Sequence, residues 1–182
     1  MKDKSQIQMP KEQRLILSLG ANIGDINTNL SMAIREFERN GLCSVKLSKL
    51  YTSEALGCQP GTPDFINAAL SGTWTKSLRE THELCKKLEV DSGRPSQHQR
   101  WSSRTLDIDI AFFGNLQFHD DTITIPHAEA LNRLFVVLPV AEIEPDFEIP
   151  GIGERILQYM NRTFSPGQIQ TIRKTAKRLE KI

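Results

Sequence analysis

The sequence lacks any long hydrophobic run, which argues against a membrane-spanning helix. Its first stretch, MKDKSQIQMPKEQR over 1–14, has no apolar segment, so no secretory signal peptide is expected. Net charge is also small, because 23 Lys and Arg residues face 22 Asp and Glu, giving +1 at pH 7. A chain this close to neutral has no overall basic field, and we therefore expect neither nucleic acid nor membrane as a partner.

Cysteine is scarce, and its placement argues against disulfides and metal ligation. The three cysteines, Cys43, Cys58 and Cys85, are odd in number and lack the spacing of metal ligands. We interpret them as reduced thiols of a cytoplasmic protein. Hydrophobic residues make up 38% and charged residues 25%, which is ordinary for a globular chain with its own core.

Familiar nucleotide and zinc-protease motifs are missing as well. There is no G-x-x-x-x-G-K followed by Ser or Thr, and no H-E-x-x-H. The Gly-x-Gly of PGIGERI (150–156) lacks a third glycine and a preceding strand, so we interpret it as a turn. A phosphate-handling site in this chain must therefore be built in another way.

Hydrophobic periodicity predicts alternating strands and helices over the first two thirds of the chain. Asp25 is the predicted N-cap of a first helix, and Ser77 with Glu80 forms a capping-box pattern at the start of a second. The order β-α-β-β-α-β is that of a ferredoxin-like α+β fold, an antiparallel sheet with both helices packed on one face. The strands are predicted over 14–22, 44–53, 65–75 and 104–115.

The last third is less regular, and we treat 1–182 as a single domain with an irregular C-terminal extension. Residues 126–143 are predicted as short helices against the sheet, and 166–182 as a terminal helix. Residues 162–182 hold six Lys or Arg and one Glu, a basic C-terminal tail or helix. We expect this tail to be solvated or to contact a partner, and to be dispensable for catalysis.

The stretch RTLDIDIAFFGN has the apolar content of a buried strand but carries Asp107 and Asp109. Side chains alternate along a strand, so both carboxylates lie on one face, about 7 Å apart at their backbones. A solvated sheet face would explain them. The nearby Arg94, Arg100 and Arg104 favour a site, because carboxylates that hold divalent cations beside guanidinium groups suit a polyphosphate.

The predicted strand over 65–75 has the same two-sided character. Phe65 and Asn67 share one side with Ala69, and the other side is aliphatic and suited to packing helices. An aromatic and an amide are not what a plain core would choose for the first side. They are therefore candidate ligand-binding residues, with a solvated open face as the alternative.

Three segments carry a family resemblance: GRPSQHQRWSSRTLDIDIAFFGN (93–115), PDFINAAL (63–70) and IPHAEALNRLF (125–135). They look like the signature segments of 6-hydroxymethyl-7,8-dihydropterin pyrophosphokinase, a folate-pathway enzyme, and LSLGANIGD (17–25) resembles that family's first strand and turn. The resemblance implies a ferredoxin-like fold. It also implies transfer of the β,γ-diphosphate of ATP to the pterin hydroxymethyl group, release of AMP, and use of two Mg²⁺ ions.

The resemblance further implies roles for individual residues. Asp107 and Asp109 would hold the two Mg²⁺ ions, which bridge the ATP phosphates and the attacking hydroxyl. Arg94 and Arg104 would contact the phosphates and stabilise charge as the bond to the α-phosphate breaks. These four are the predicted catalytic residues. The ATP site would comprise Glu89, Arg100, Trp101, Arg104, Ile110, Thr124, His127 and Arg133.

For the pterin, the resemblance implies stacking between Phe65 and Phe135. Asn67 would pair with the donor and acceptor edge of the ring, which an amide matches with both polarities. Backbone groups of Ser53, Glu54 and Leu56 would complete the recognition of this edge of the pterin. Ile110 and Phe135 would equally suit a plain core.

Some positions depart from the family pattern. Ser96 stands where many members have a second arginine, and Ser102 with Ser103 replaces a usual Gly-Pro. Thr122 and Ala128 stand where some members have Arg and Tyr. These departures bear on affinity and rate more than on the reaction. We also expect the loop over 92–103 to be mobile in the free protein and to close over ATP.

Two alternatives stay open. A ferredoxin-like sheet with exposed aromatics and a basic tail could bind RNA, although the two acidic residues on the ligand face argue against this. The chain could also be a catalytically silent relative that serves as an interaction domain, but Asp107, Asp109, Arg94 and Asn67 are all retained. Other folate-pathway enzymes are the candidate protein partners.

Overall fold

The computed structural model describes residues 12–55, 60–93, 103–173 and 176–179. The antiparallel main sheet runs in the order β2-β4-β1-β5, with β3 also paired to β4. This order confirms the predicted ferredoxin-like α+β arrangement. Its strands are β1 (Gln13–Ala21), β2 (Cys43–Leu47), β3 (Tyr51–Ser53), β4 (Phe65–Trp74) and β5 (Asp107–Phe113), and a separate hairpin is formed by β6 (Phe118–His119) and β7 (Thr124–Ile125).

Helices lie on both faces of this sheet. On the first face, α1 (Ile26–Arg39) and α2 (Leu78–Asp91) pack over alternate residues of β1, β4 and β5. Both predicted caps are present: the Asp25 side chain accepts from the Thr28 amide at 3.1 Å, and Ser77 and Glu80 form the capping box. The second face is partly covered by α3 (Leu134–Ile143), α4 (Ile156–Thr163) and α5 (Pro166–Arg173).

Two boundaries differ from the prediction. The single strand expected over 44–53 is two strands, because the pairing with β4 ends at Leu47 and resumes at Tyr51. The terminal helix expected over 166–182 ends at Arg173. Across the described residues 12–55, 60–93, 103–173 and 176–179, no helix is long and apolar enough to cross a membrane.

The C-terminal tail is exposed along most of α5 but contacts the rest of the fold at several described positions. Ile169 of α5 is buried among the side chains of the second face. Lys177 forms an antiparallel bridge with Leu50, with N···O distances of 2.9 and 2.7 Å. Beyond the bridge, Leu179 packs against the core of the first face. The tail therefore crosses the edge beside β3 and contacts both layers.

We expect Lys177→Pro to lower stability by about 0.5–1.5 kcal/mol, because proline removes the amide that donates to the Leu50 carbonyl. Thermal or urea unfolding measures the change. Arg178→Pro is the matched control, since the residue before a proline favours the extended conformation that Lys177 already has. Equal stability of both variants and the wild type would show that the bridge contributes nothing.

A second link joins the C-terminal layer to the sheet through Glu144, which follows α3. Its carboxylate accepts from Arg14 Nε on β1 at 2.8 Å, from Ser71 Oγ on β4 at 2.6 Å, and from Lys46 Nζ on β2 at 3.3 Å. Burial acts to raise the pKa of Glu144, but the hydrogen bonds from Ser71 and Arg14 outweigh it and the pKa is lowered.

A carboxyl whose pKa is depressed by folding stabilises the protein above its unfolded pKa, and this contribution is lost as pH falls through the folded pKa. Glu144→Gln should therefore be less stable than wild type at neutral pH, and the difference should shrink as pH falls below 4.5, the ordinary pKa of the group. Urea unfolding between neutral pH and pH about 3 tests this. Glu38→Gln, at an exposed position of α1, is the control, and a constant difference across the range would contradict the assignment.

Candidate active site

The acidic pair, Asp107 and Asp109, lies on the second face of the sheet, on β5 and next to β1. In the antiparallel register, Asp107 is opposite Gly20 and Asp109 is opposite Ser18. Ile108, between them, is buried in the core under the first-face helices. Both carboxylates therefore point away from that core, as the alternation of the sequence predicted. Their side chains are 18% and 34% exposed, so the pair is accessible to a ligand yet half-desolvated.

The charge of this pair is only partly compensated. Arg104 Nη1 donates to Asp107 Oδ2, whereas Asp109 has His127 Nε2 at 3.9 Å. Burial raises the pKa of Asp109, and the adjacent Asp107 carboxylate raises it further. The buried Arg104 Nε has no hydrogen-bond partner among the residues that the structure describes. The site thus has an excess of carboxylate and an arginine with unused donor capacity.

Asn22, which the sequence reasoning missed, fixes the position of Arg104. Its side-chain oxygen accepts from the backbone amide of Arg104 at 2.6 Å, and its backbone amide donates to the Arg104 carbonyl at 2.9 Å. Its Nδ2 donates to the Pro63 carbonyl at 3.0 Å, just before β4. The sequence offered no specific signal for this role, because the burial of Asn22 and its partners depend on segments distant in the chain.

Glu89 lies behind the acidic strand. The residue is 3% exposed, its Oε1 accepts from the Ile108 amide at 2.9 Å, and its Oε2 accepts from Lys86 Nζ at 2.9 Å. The carboxylate thereby ties α2 to β5 and holds the strand that bears Asp107 and Asp109. Its expected contact with adenosine stays a prediction.

Three of the predicted pterin residues, Ser53, Phe65 and Asn67, come together on the paired strands β3 and β4. Asn67 lies on β4, opposite Gly20 of β1. Its Nδ2 donates to Ser53 Oγ at 2.9 Å and to the Tyr51 carbonyl at 3.3 Å. Phe65 pairs with Ser53 across the same two strands. The exposed Glu54 follows directly after β3.

The remaining predicted residues occupy the loops and helix beyond β5. His127 donates its backbone amide to the Ala111 carbonyl at 3.0 Å, which joins its loop to the acidic strand. Thr124 Oγ1 is 2.9 Å from His119 Nδ1 in the small hairpin. Arg133 lies 5.8 Å from the centre of the Phe135 ring, so these two predicted ligand residues contact each other.

Ile110 is buried in the core of the first face, which favours its interpretation as a core residue. Four predicted site residues, Leu56, Arg94, Arg100 and Trp101, lie outside the described part of the chain. The expected lid over 92–103 is outside it except for its ends. These roles remain predictions.

The donor set suits a hard cation shared with a phosphate ligand. Within the described ranges, no group of three or more His, Cys, Asp or Glu side chains is assembled to hold a metal ion. Mg²⁺ is commonly bound by one or two carboxylates together with substrate phosphates, and Asp107 with Asp109 provides this arrangement. The structure thus defines a ferredoxin-like α+β domain with a pair of accessible carboxylates on the second face of its sheet.

A model of the family 7,8-dihydro-6-hydroxymethylpterin-pyrophosphokinase (HPPK) matches residues 16–145, and the chain belongs to this family. The 2-amino-4-hydroxy-6-hydroxymethyldihydropteridine pyrophosphokinase of Synechocystis sp. is 35% identical over 148 residues, which cover 81% of this chain and 74% of that protein. The enzyme of the same name from Haemophilus influenzae is also 35% identical, with 79% of this chain and 91% of the relative covered. The predicted pyrophosphokinase family is thereby confirmed.

Solved structures agree on the fold. A Plasmodium falciparum HPPK-DHPS protein, solved with pterin and p-hydroxybenzoate, superposes with a TM-score of 0.66 at 14% identity. The match covers 94% of this chain and 47% of that one, so the chain spans about half the length of this structural relative. The alternatives of a nucleic-acid-binding module and of a silent interaction domain are not favoured by these relatives.

We expect Asp107→Asn and Asp109→Asn to lower turnover by roughly a hundredfold or more, because metal-linked charge stabilisation is worth several kcal/mol. Their effects on stability should differ. Asp109→Asn relieves carboxylate repulsion and should leave stability unchanged or higher, whereas Asp107→Asn loses the Arg104 contact, at up to about 1 kcal/mol. Activity assays and thermal unfolding measure both.

The exposed Asp146, which pairs with Arg155, provides the matched control Asp146→Asn. It should retain wild-type turnover. Unfolding of both site variants would indicate instead that the acidic pair serves the structure of β5.

Proposed function

We propose that this chain transfers the β,γ-diphosphate of ATP to the hydroxymethyl oxygen of 6-hydroxymethyl-7,8-dihydropterin and releases AMP, a step of folate biosynthesis. One observation carries the proposal: Asp107, Gly20 and Asn67 lie in one row across three adjacent strands. A carboxylate for the phosphoryl end and an amide for the heterocycle thus share one surface, roughly 10 Å apart at two strand spacings.

The reaction balances without an oxidant or reductant. The acceptor hydroxyl oxygen forms a bond to the β-phosphorus of ATP, and the bond between that phosphorus and the α,β-bridging oxygen breaks. The bridging oxygen leaves with AMP, and the hydroxyl proton passes to solvent or a base. What the protein must do is align acceptor and donor and stabilise the charge that develops on the phosphoryl oxygens.

Asp107 and Asp109 are the residues that would hold Mg²⁺, and two ions are part of this proposal. When bound, Mg²⁺ neutralises phosphate oxygens and lowers the pKa of an oxygen that it contacts. The carboxylates orient this charge toward the open face of the sheet. Because the two carboxylates repel each other, a cation held by both would relieve that repulsion.

Arg104 has two tasks in this scheme. In the free protein it pairs with Asp107, and its Nε has no hydrogen-bond partner within the described part of the chain. If Asp107 held a metal ion instead, the Arg104 guanidinium would be able to direct its donors to a phosphate, for which its planar fork is suited. Asn22 holds its backbone in place during that exchange. Arg94, His127 and Arg133 would supply further positive or donor groups to the nucleotide.

On the acceptor side, Asn67 Oδ1 and the backbone near Ser53 would recognise the polar edge of the pterin, and Phe65 and Phe135 would stack on its faces. A cytoplasmic location and contacts with other folate-pathway enzymes belong to the same proposal. The free thiols of Cys43 and Cys85 support the location.

The decisive experiment incubates the protein with ATP, Mg²⁺ and the hydroxymethyl dihydropterin and separates the nucleotide products. AMP should form in step with the diphosphorylated pterin. ADP in place of AMP would indicate transfer of a single phosphoryl group, and no pterin-dependent product would overturn the proposal.

Asn67→Ala should weaken pterin binding by about 1–3 kcal/mol, because the polar edge of the ring loses its partner. Affinity for a non-hydrolysable ATP analogue should change little. Ser53→Ala is the matched variant: it removes the acceptor of the Asn67 Nδ2 bond but leaves Oδ1 in place, so its effect should be smaller. Isothermal calorimetry measures both ligands, and equal losses for pterin and nucleotide in Asn67→Ala would refute the assignment.

A further inference from the structure

On the second face of the sheet, the side chains of β1 become smaller toward the end of the strand. Ile16 is fully buried under the second-face helices, Ser18 lies opposite Asp109, and Gly20 has no side chain at all. The surface of the sheet therefore steps down along β1. Its lowest point is Gly20, between Asn67 on β4 and Asp107 on β5.

The fold itself does not require glycine at this position. Gly20 is not among the described glycines with a positive φ, so its backbone conformation is open to other residues. A Cβ built there would lie 3.8 Å from Asn67 Oδ1 and 3.8 Å from the Asp107 Cβ, which are ordinary contact distances. Glycine in a strand interior weakens the strand. At this position no steric clash in the fold explains why a larger residue is absent.

A second observation points to a ligand beside Gly20. Asn67 is 4% exposed, and its Nδ2 is engaged with Tyr51 and Ser53. Its Oδ1 lies 3.8 Å from the position that a Cβ of Gly20 would take, and no described residue donates a hydrogen bond to it. An amide oxygen without a donor, on a side chain that is otherwise buried, can accept a hydrogen bond from a polar ligand on this side.

We propose that Gly20 determines acceptor specificity: its missing side chain leaves the passage through which the hydroxymethyl arm reaches the acidic pair. This inference rests on the proposed function. With the ring paired to Asn67, the arm must cross the position of Gly20 to approach the phosphate held near Asp107. A methyl group at that point would fit the free protein but would occupy the path of the arm.

The test compares Gly20→Ala with wild type for two ligands in the presence of Mg²⁺ and a non-hydrolysable ATP analogue. One ligand is 6-hydroxymethyl-7,8-dihydropterin, and the other is the dihydropterin without the 6-hydroxymethyl group. We expect Gly20→Ala to melt at or above the wild-type temperature and to bind the hydroxymethyl compound at least tenfold more weakly. Affinity for the armless compound and for the ATP analogue alone should stay within about twofold.

Gly167→Ala is the control, since Gly167 lies in α5 and a Cβ there meets Ser165 Oγ at 4.0 Å. It should bind all ligands as wild type does. If Gly20→Ala fails to fold, or binds the hydroxymethyl compound normally, or loses both pterins equally, the inference is overturned. A wild-type protein that forms no AMP with either pterin would instead overturn the proposed function, which separates the two failures.

Discussion

The pairing of β1 with β4 on one side and β5 on the other fixes the distances on which the candidate site depends. Side chains that lie opposite each other in an antiparallel sheet point to the same face, so a single register places Asn67, Gly20 and Asp107 in one row. A slip of one residue in either pairing would turn the carboxylates or the amide into the core. The large aliphatic residues of β1, Leu15, Leu17 and Leu19, prevent such a slip because all three are fully buried on the first face.

Placing two carboxylates on neighbouring positions of β5 costs electrostatic free energy, and the described residues offset this cost to different extents. Asp107 pairs with Arg104, whereas the nearest described cation to Asp109 is the more distant His127, and burial and Asp107 keep the pKa of Asp109 raised. A site that was fully neutralised by its own residues would have no reason to bind a cation, because each internal contact would first have to be broken. Partial compensation leaves negative charge on β5, which the proposed metal–phosphate complex would require.

Much of this arrangement follows from local sequence. Alternation around Asp107 and Asp109, the caps at Asp25 and Ser77, and the order of elements led to the correct sheet and the correct face. Asn22 and Glu89 show what local patterns do not contain: the first bonds Arg104 and Pro63, and the second bonds the Ile108 amide, all distant in sequence. The break at 48–50 escaped prediction for the same reason, since it depends on how the segment pairs with β4 and not on its composition.

The edge beside Asn67 shows how the C-terminal layer supports the site without entering it. β3 has three residues, and a strand this short has little stability of its own. Glu142 of α3 accepts from the Tyr51 hydroxyl at 2.8 Å and from the Lys49 amide at 3.0 Å, and Lys177 bridges Leu50. Residues 49–51 are thus held from α3 and from the tail at once. Because Ser53 and Tyr51 in turn hold the Asn67 amide, the orientation of its free oxygen depends on contacts made outside the site, including one beyond the residues that match the family.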